Sequence, residues 1–236
     1  MGEYDTAQLH LIASIRLSEE MGERRFKAHR QRELAMVQSL RGDFDEALRT
    51  AQIALALSHS FGDRINSAFT ELALGQIALE TGRGEQARAH LDLSLAVARE
   101  TGHHALHLRS LVVLARLERQ AGQFAAARRW LEEATSALAQ PGVTHSNYRA
   151  GVALEAGHLA SEEHDWSLSR RCYAETLAAL GCDAAEAQEA RTGLAEVACA
   201  ENDLAQAKQL LTAVIGDPAT GAATRQRAQV LLRDWD

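Results

Sequence analysis

Proline and aromatic residues are scarce in this 236-residue chain: it has 2 prolines, and Phe, Trp and Tyr make up 5%. So few prolines leave long helices uninterrupted. No run alternates apolar and polar residues long enough for a half-buried strand, and β-branched residues are sparse. Cysteine is also rare. Cys172, Cys182 and Cys199 are odd in number and lack metal-ligand spacing, which points to thiols of a reducing compartment. No apolar stretch approaches the roughly 20 residues of a membrane helix. The start, MGEYDTAQLH, has neither the basic nor the apolar region of a signal peptide, so the expected location is cytoplasmic. What is abundant is Ala and Leu, within 46% hydrophobic residues, and both favour helix. The chain reads as all-α. Its net charge of −7 argues against nucleic acid, whose affinity for proteins comes mainly from Lys and Arg on phosphate.

The chain repeats itself. RGDFDEA (41–47), TGRGEQA (81–87), AGQFAAA (121–127), EHDWSLS (163–169) and ENDLAQA (201–207) align on Gly42, Gly82, Gly122, His164 and Asn202, spaced by 40, 40, 42 and 38 residues. A left-handed residue commonly ends a helix, and Gly, Asn and His are the types that tolerate it. Asp43, Asp165 and Asp203 follow and are expected to cap the next helix. A second series, Gly22, Gly62, Gly102, Gly142 and Gly181, falls about midway. Each unit is therefore two helices and two short turns, with units at about 23–60, 64–101, 104–139, 144–180 and 184–215.

Small residues recur in phase. Seven positions before each turn stand Ala35, Gly75, Ala115, Gly157 and Ala195; five after it stand Ala47, Ala87, Ala127, Ser169 and Ala207. They let the first helix of each unit (A) approach the second (B) closely. Leu34, Leu74, Leu114 and Leu194 on A, with Leu91, Leu131, Tyr173 and Leu211 on B, complete the contact. Such hairpins bury their apolar faces only by stacking.

On these residues, and most clearly on LALGQIALETGRGEQARAHL (72–91), with Leu74, Gly75, Ala78, Ala87 and Leu91 in the matching places, the chain resembles the tetratricopeptide repeat family. Its period of about 40 residues exceeds the usual 34, and the family's Trp, aromatic and closing Pro are mostly absent. The long period is similar to the repeats of cell-polarity adaptors, bacterial peptide-pheromone receptors and sensor domains of LuxR-type activators. The resemblance implies a right-handed α-solenoid forming one superhelical domain over residues 5–236. A helix at 6–20 would precede the first unit and a capping helix at 219–235 would follow Asp217-Pro218. There Val230, Leu231 and Leu232 would cover the last hairpin, while Arg225, Gln226, Arg227 and Arg233 face water. Beginning half-way through a unit suggests a piece of a longer protein or an N-terminal cap. Leu9, Ile12 and Ile15 call for a cover on helix 6–20, which a second copy of the chain could also supply.

Chemistry-bearing patterns dissolve into the repeat. Gly82 to Ala87 fits a dinucleotide fingerprint in letters, but a helix precedes it where that motif needs a strand. His103 and His107 share an i, i+4 face, yet no third zinc ligand stands in the same turn. Arg24, Arg25, Lys27, Arg30 and Arg32 read as a solvated helix face or a seat for an acidic protein. No nucleophile elbow, phosphate loop or HExxH occurs. The expectation is a non-enzyme without cofactor or metal.

The resemblance implies that A helices line a concave groove for a partner segment. Mapped onto this sequence, the groove would present His29, Arg32, Met36, Phe69, Leu72, Gln76, Arg109, Arg116, Arg119, His158 and Glu196, with Leu72 equally placed for the core. Arg109, Arg116 and Arg119 would take the acidic part of a peptide, Phe69 and Leu72 an apolar anchor. The expected function is a protein- or peptide-binding scaffold. The alternative is a regulatory sensor domain, for a peptide or small effector, within a larger protein.

Overall fold

Left-handed backbone at regular intervals organises the chain. Gly42, Gly82, Gly122, His164 and Asn202 all have positive φ, at 88°, 71°, 72°, 59° and 66°. Gly22, Gly62 and Gly102 of the second series do too. The computed structural model describes residues 3–139, 146–179 and 182–235; Gly142, Gly181 and the expected start of a helix at 144 lie outside them. The helices between these turns are α1 (Glu3–Glu20), α2 (Arg24–Arg41), α3 (Phe44–Ser60), α4 (Arg64–Glu80), α5 (Gly84–Thr101) and α6 (His104–Gln120). Then come α7 (Phe124–Leu138), α8 (Ser146–Glu162), α9 (Trp166–Ala178), α10 (Ala184–Ala200), α11 (Leu204–Gly216) and α12 (Ala222–Asp234). Among the described residues there is no strand. None of these helices is long and apolar enough to cross a membrane.

Capping follows the stereochemistry, with one correction. The carboxylates of Asp165 and Asp203 accept hydrogen bonds from the Leu168 and Gln206 backbone N–H groups, as expected, and Asp63 and Asp183 do the same for α4 and α10. Asp43 makes no such bond. Its carboxylate is drawn instead to Arg41, at 3.2 Å. The last helix also begins later than expected. Asp217 accepts from Gln188 and from the Ala219 N–H, and Thr220 donates to the Val214 carbonyl, so a turn precedes the N-cap Gly221.

The residues form two compact units, one ending at Val113 and one starting at Leu114, so the division falls inside α6. Within the first, α1 packs on α2, α2 on α3 and α4, and α4 on α5. Ala35, Ala47, Ala51, Leu74 and Ile77 form a core there. In α1 only Ser18 is buried; Leu9 and Ile12 are 53% and 47% exposed. Within the second, α8 packs on α9 and α10, α10 on α11 and α11 on α12. Leu231 and Leu232 pack against the Ala195, Ala207 and Leu211 cluster, whereas Val230 is exposed. Of the four residues expected in water on α12, Arg227 pairs with Glu196, and Arg225 donates to the Asp217 carbonyl.

The small residues are the contact points themselves. Ala35, Ala115 and Ala195, and Ala47, Ala87, Ala127, Ser169 and Ala207, are all inaccessible to solvent. Tyr173 of α9 shows the tightest case. A Cβ on Gly157 would come within 2.7 Å of its ring, and one on Gly193 would overlap the ring and reach 2.6 Å from its hydroxyl. Two glycines on α8 and α10 thus make the slot that a fully buried tyrosine fills.

Gly193→Ala is expected to lower unfolding stability by about 3 kcal/mol, the upper end of overpacking costs, because Tyr173 has nowhere to go. Gly75→Ala, whose Cβ meets the end of the flexible Leu91 side chain at 2.8 Å, should cost less. Urea denaturation of the two variants measures the difference.

Candidate functional site

Two groups of arginines lie on A helices, and their surroundings differ. In the first unit, Arg32 of α2 and Arg109 of α6 face the same ring. Their guanidinium carbons lie 5.1 and 5.9 Å from the centre of Phe69 on α4. A further contact to that ring is edge-on, from His103 at 5.2 Å. His103 also accepts the Leu106 backbone N–H, so this histidine caps the start of α6. Arg32 donates to Asn66 Oδ1 at 3.2 Å and to His29 Nδ1 at 2.7 Å, both uncharged acceptors. Burial, then the positive charge of Arg109, bring the Arg32 guanidinium down to about 10. Burial and the neighbouring Arg32 also hold His29 below its ordinary value. His29 is therefore neutral at physiological pH, and its 3.0 Å contact to Glu33 is a hydrogen bond from Nε2–H.

Met36 of α2 and Gln76 of α4, two further residues of the expected groove, are both half-buried. The Gln76 side-chain oxygen is buried without a hydrogen-bond partner. Leu72 is 1% exposed and belongs to the core of α4. Cationic groups over an aromatic face, with an unused acceptor on the same helix, suit an anionic group that also offers N–H donors.

In the second unit the arginines meet carboxylates. Arg119 Nε lies 2.6 Å from Glu155 Oε1 on α8, and Arg116 Nε 3.4 Å from Glu155 Oε2. Glu155 is 1% exposed. Burial would push its carboxyl up; Arg119 and Arg116 reverse that and hold it below the usual range. Arg116 also reaches Glu189 of α10 at 3.5 Å. His158, 4% exposed, stands 3.6 Å from Glu189 and 2.9 Å from the Tyr173 hydroxyl. Burial opposes ionisation of Glu189, but Arg116 and His158 outweigh it and hold the carboxyl at about 2. Glu196 completes the array through Arg227 of α12, at 2.6 Å. Thus Arg116, Arg119, His158 and Glu196 join α6, α8, α10 and α12 by charge.

Sequence reading did not find Glu155. The signal was present: a lone acid inside the apolar run GVALEAGHLA (151–160), where an unpaired charge is costly.

Residues 66–140 and 28–52 match two family models, each described as tetratricopeptide repeat. The chain carries tetratricopeptide repeats over those residues. No curated protein sequence matches it. Among solved structures, BtubC (BKLC) from P. vanneervenii is 17% identical with a TM-score of 0.63, covering 99% of this chain and 93% of that one. NprR in complex with its cognate peptide NprX is 14% identical with a TM-score of 0.68, covering 98% and 71%. The apo form of the quorum sensor NprR from B. thuringiensis is 12% identical with a TM-score of 0.62, covering 92% and 62%. At such identities the likeness is one of fold.

Two outcomes follow from the charge array. Arg119→Ala should lower stability by about 3 kcal/mol, because a buried carboxylate loses its main partner; adding Glu155→Leu should recover most of that, as chemical denaturation will show. Acid titration is the second. The Glu189 carboxyl sits below its ordinary 4.5, so its stabilisation is present above about pH 4.5 and fades as pH falls towards 2. Glu186 behaves oppositely: burial, then Asp183, raise it to about 7, so its contribution is present below pH 4.5 and lost as pH rises through 7. Melting curves should find Glu189→Gln destabilising at pH 7, and Glu186→Gln stabilising at pH 8 but not at pH 4.

Proposed function

We propose that this chain is a non-catalytic interaction scaffold, and that a partner's acidic segment binds the A-helix face of the first unit. One observation carries the reading: Arg32 and Arg109 converge on the half-buried face of Phe69, and the charge of Arg109 lowers the Arg32 pKa. A carboxylate meets guanidinium with fork-like complementarity, and an aromatic face holds both cations in reach of it. The bound segment is extended or helical. An Asp or Glu side chain lies between the two guanidinium groups, and a backbone N–H donates to Gln76. Arg116 and Arg119 contribute positioning, because their charge is spent on Glu155 and Glu189.

The regulatory version has specific support. Two of the fold relatives are the quorum sensor NprR, once with its cognate peptide. As a sensor, the chain would bind its peptide at the same arginines and favour one arrangement of its helices over another.

Selection from a displayed peptide library, followed by fluorescence anisotropy on the best binders, tests both versions. Binders should be rich in Asp and Glu. The Arg32→Gln, Arg109→Gln double variant should weaken them at least tenfold with an unchanged melting temperature. Binders without acidic residues, or binders indifferent to the double variant, would sink the reading. Hydrogen exchange that changes far from the peptide on binding would favour the sensor; protection confined to α2, α4 and α6 would favour the plain scaffold.

A further inference from the structure

One repeat position breaks its own rule. Thirteen residues after each turn stand Leu55, Leu95, Thr135, Leu177 and Ile215. Leu95 is 4% exposed, and Leu55 and Ile215 pack against the hydrophobic clusters of their units. Thr135 on α7 is the polar exception. Its hydroxyl is turned back to the Leu131 carbonyl at 2.8 Å. Beyond it, between α7, α8 and α9, lies an open cavity of about 390 Å³. That size falls in the range of ligand-sized clefts, roughly 300–1,000 Å³.

The lining has two characters. Leu131, Ala156, Leu159, Ala160 and Leu168 make an apolar floor. The rim is a set of acceptors. Thr135 and Ser136 have spent their hydroxyl protons on the Leu131 and Glu132 carbonyls, so they face the opening with lone pairs. Arg128 is neutralised by Glu163, at 2.6 Å. The Glu132 carboxylate is exposed beside them, which leaves the rim net negative. An occupant must therefore bring an apolar group for the floor and cationic donors for the rim.

We propose that this notch is a second interaction site, and that it receives a helical segment of a partner protein carrying a leucine-sized anchor with Lys or Arg one turn away. The charge complementarity selects this occupant: a basic donor fits Glu132 and the two hydroxyls, and an acidic one is repelled. The site lies wholly within the second unit and uses none of the arginines of the first.

The probe is a fluorescein-labelled 12-residue helical peptide of leucine, alanine and lysine, compared with a peptide in which glutamate replaces lysine. Wild type should bind the lysine peptide and bind the glutamate peptide at least tenfold more weakly. Thr135→Phe, which fills the notch, should cost at least tenfold without lowering the melting temperature; if it unfolds the protein, Thr135→Leu replaces it, since leucine is the residue of three other repeats. Glu132→Lys should weaken the lysine peptide at least fivefold. The Arg32→Gln, Arg109→Gln variant should bind it as wild type does, which separates this site from the first. No binding by wild type, equal binding of the two peptides, or indifference to filling of the notch would each overturn the proposal. A dimer that Thr135→Phe abolishes would overturn it in favour of a second copy of the chain.

Discussion

Close approach between paired helices is the constraint on which the rest of this protein depends. It is set by residues with little or no side chain, held at fixed distances from a left-handed turn. Ala35 and Ala47 flank one such turn, Gly157 and Ser169 another, Ala195 and Ala207 a third, and none of the alanines is accessible. In the first unit Leu74 and Ile77 fill the space beside these contacts. In the second, Tyr173 fills a slot that Gly157 and Gly193 leave open. The interior is therefore built from small contact residues with leucines beside them, which is how a chain with 5% aromatics still closes its cores. Close packing of this kind tolerates loss of volume and gain of volume equally badly.

Charge does the remaining work, and the two units use it differently. In the second, one buried and two half-buried carboxylates meet basic partners. Glu155 meets Arg119 and Arg116, Glu189 meets Arg116 and His158, and Glu196 meets Arg227. Buried ion pairs of this kind add little net stability compared with an apolar substitute, but removing one partner is severe. In the first unit, Arg32 and Arg109 are brought together over Phe69, with neutral acceptors for Arg32. Arginine on an A helix thus meets carboxylates in one unit and an aromatic face in the other.

Much of the fold was legible in the sequence because its signals are local. A left-handed turn needs Gly, Asn or His, and His164 and Asn202 do adopt positive φ. The phase of Ala and Gly relative to those turns marked the helix contacts residue by residue. Capping was legible only in part: Asp165 and Asp203 cap, while Asp43 is taken by Arg41, a competition between neighbours that a capping preference does not contain. The charge pairs were not legible. Arg119 and Glu155 are 36 residues apart, and Arg116 and Glu189 are 73 apart. Which acid meets which arginine depends on how successive helices are staggered along their axes, and periodicity is silent on that. Leu72 stood between groove and core for a related reason: on a helix with apolar residues nearly all round, the face that turns inward is decided by the neighbours.

A repeat protein gains specificity where it departs from its own rule. Positions that obey the rule are explained by stacking, and they say little about any partner. Thr135 departs by replacing an aliphatic residue in a column otherwise made of Leu and Ile, and the departure coincides with an open cavity. Phe69 and Arg109 share one column, thirteen residues before the turn, where the other repeats carry His29, Gly151 and Glu189. Filling such a gap with leucine would improve packing at no cost to the repeat. That the sequence leaves it open, with an acidic rim, is the physical argument for reading it as a binding surface in place of a flaw in the core.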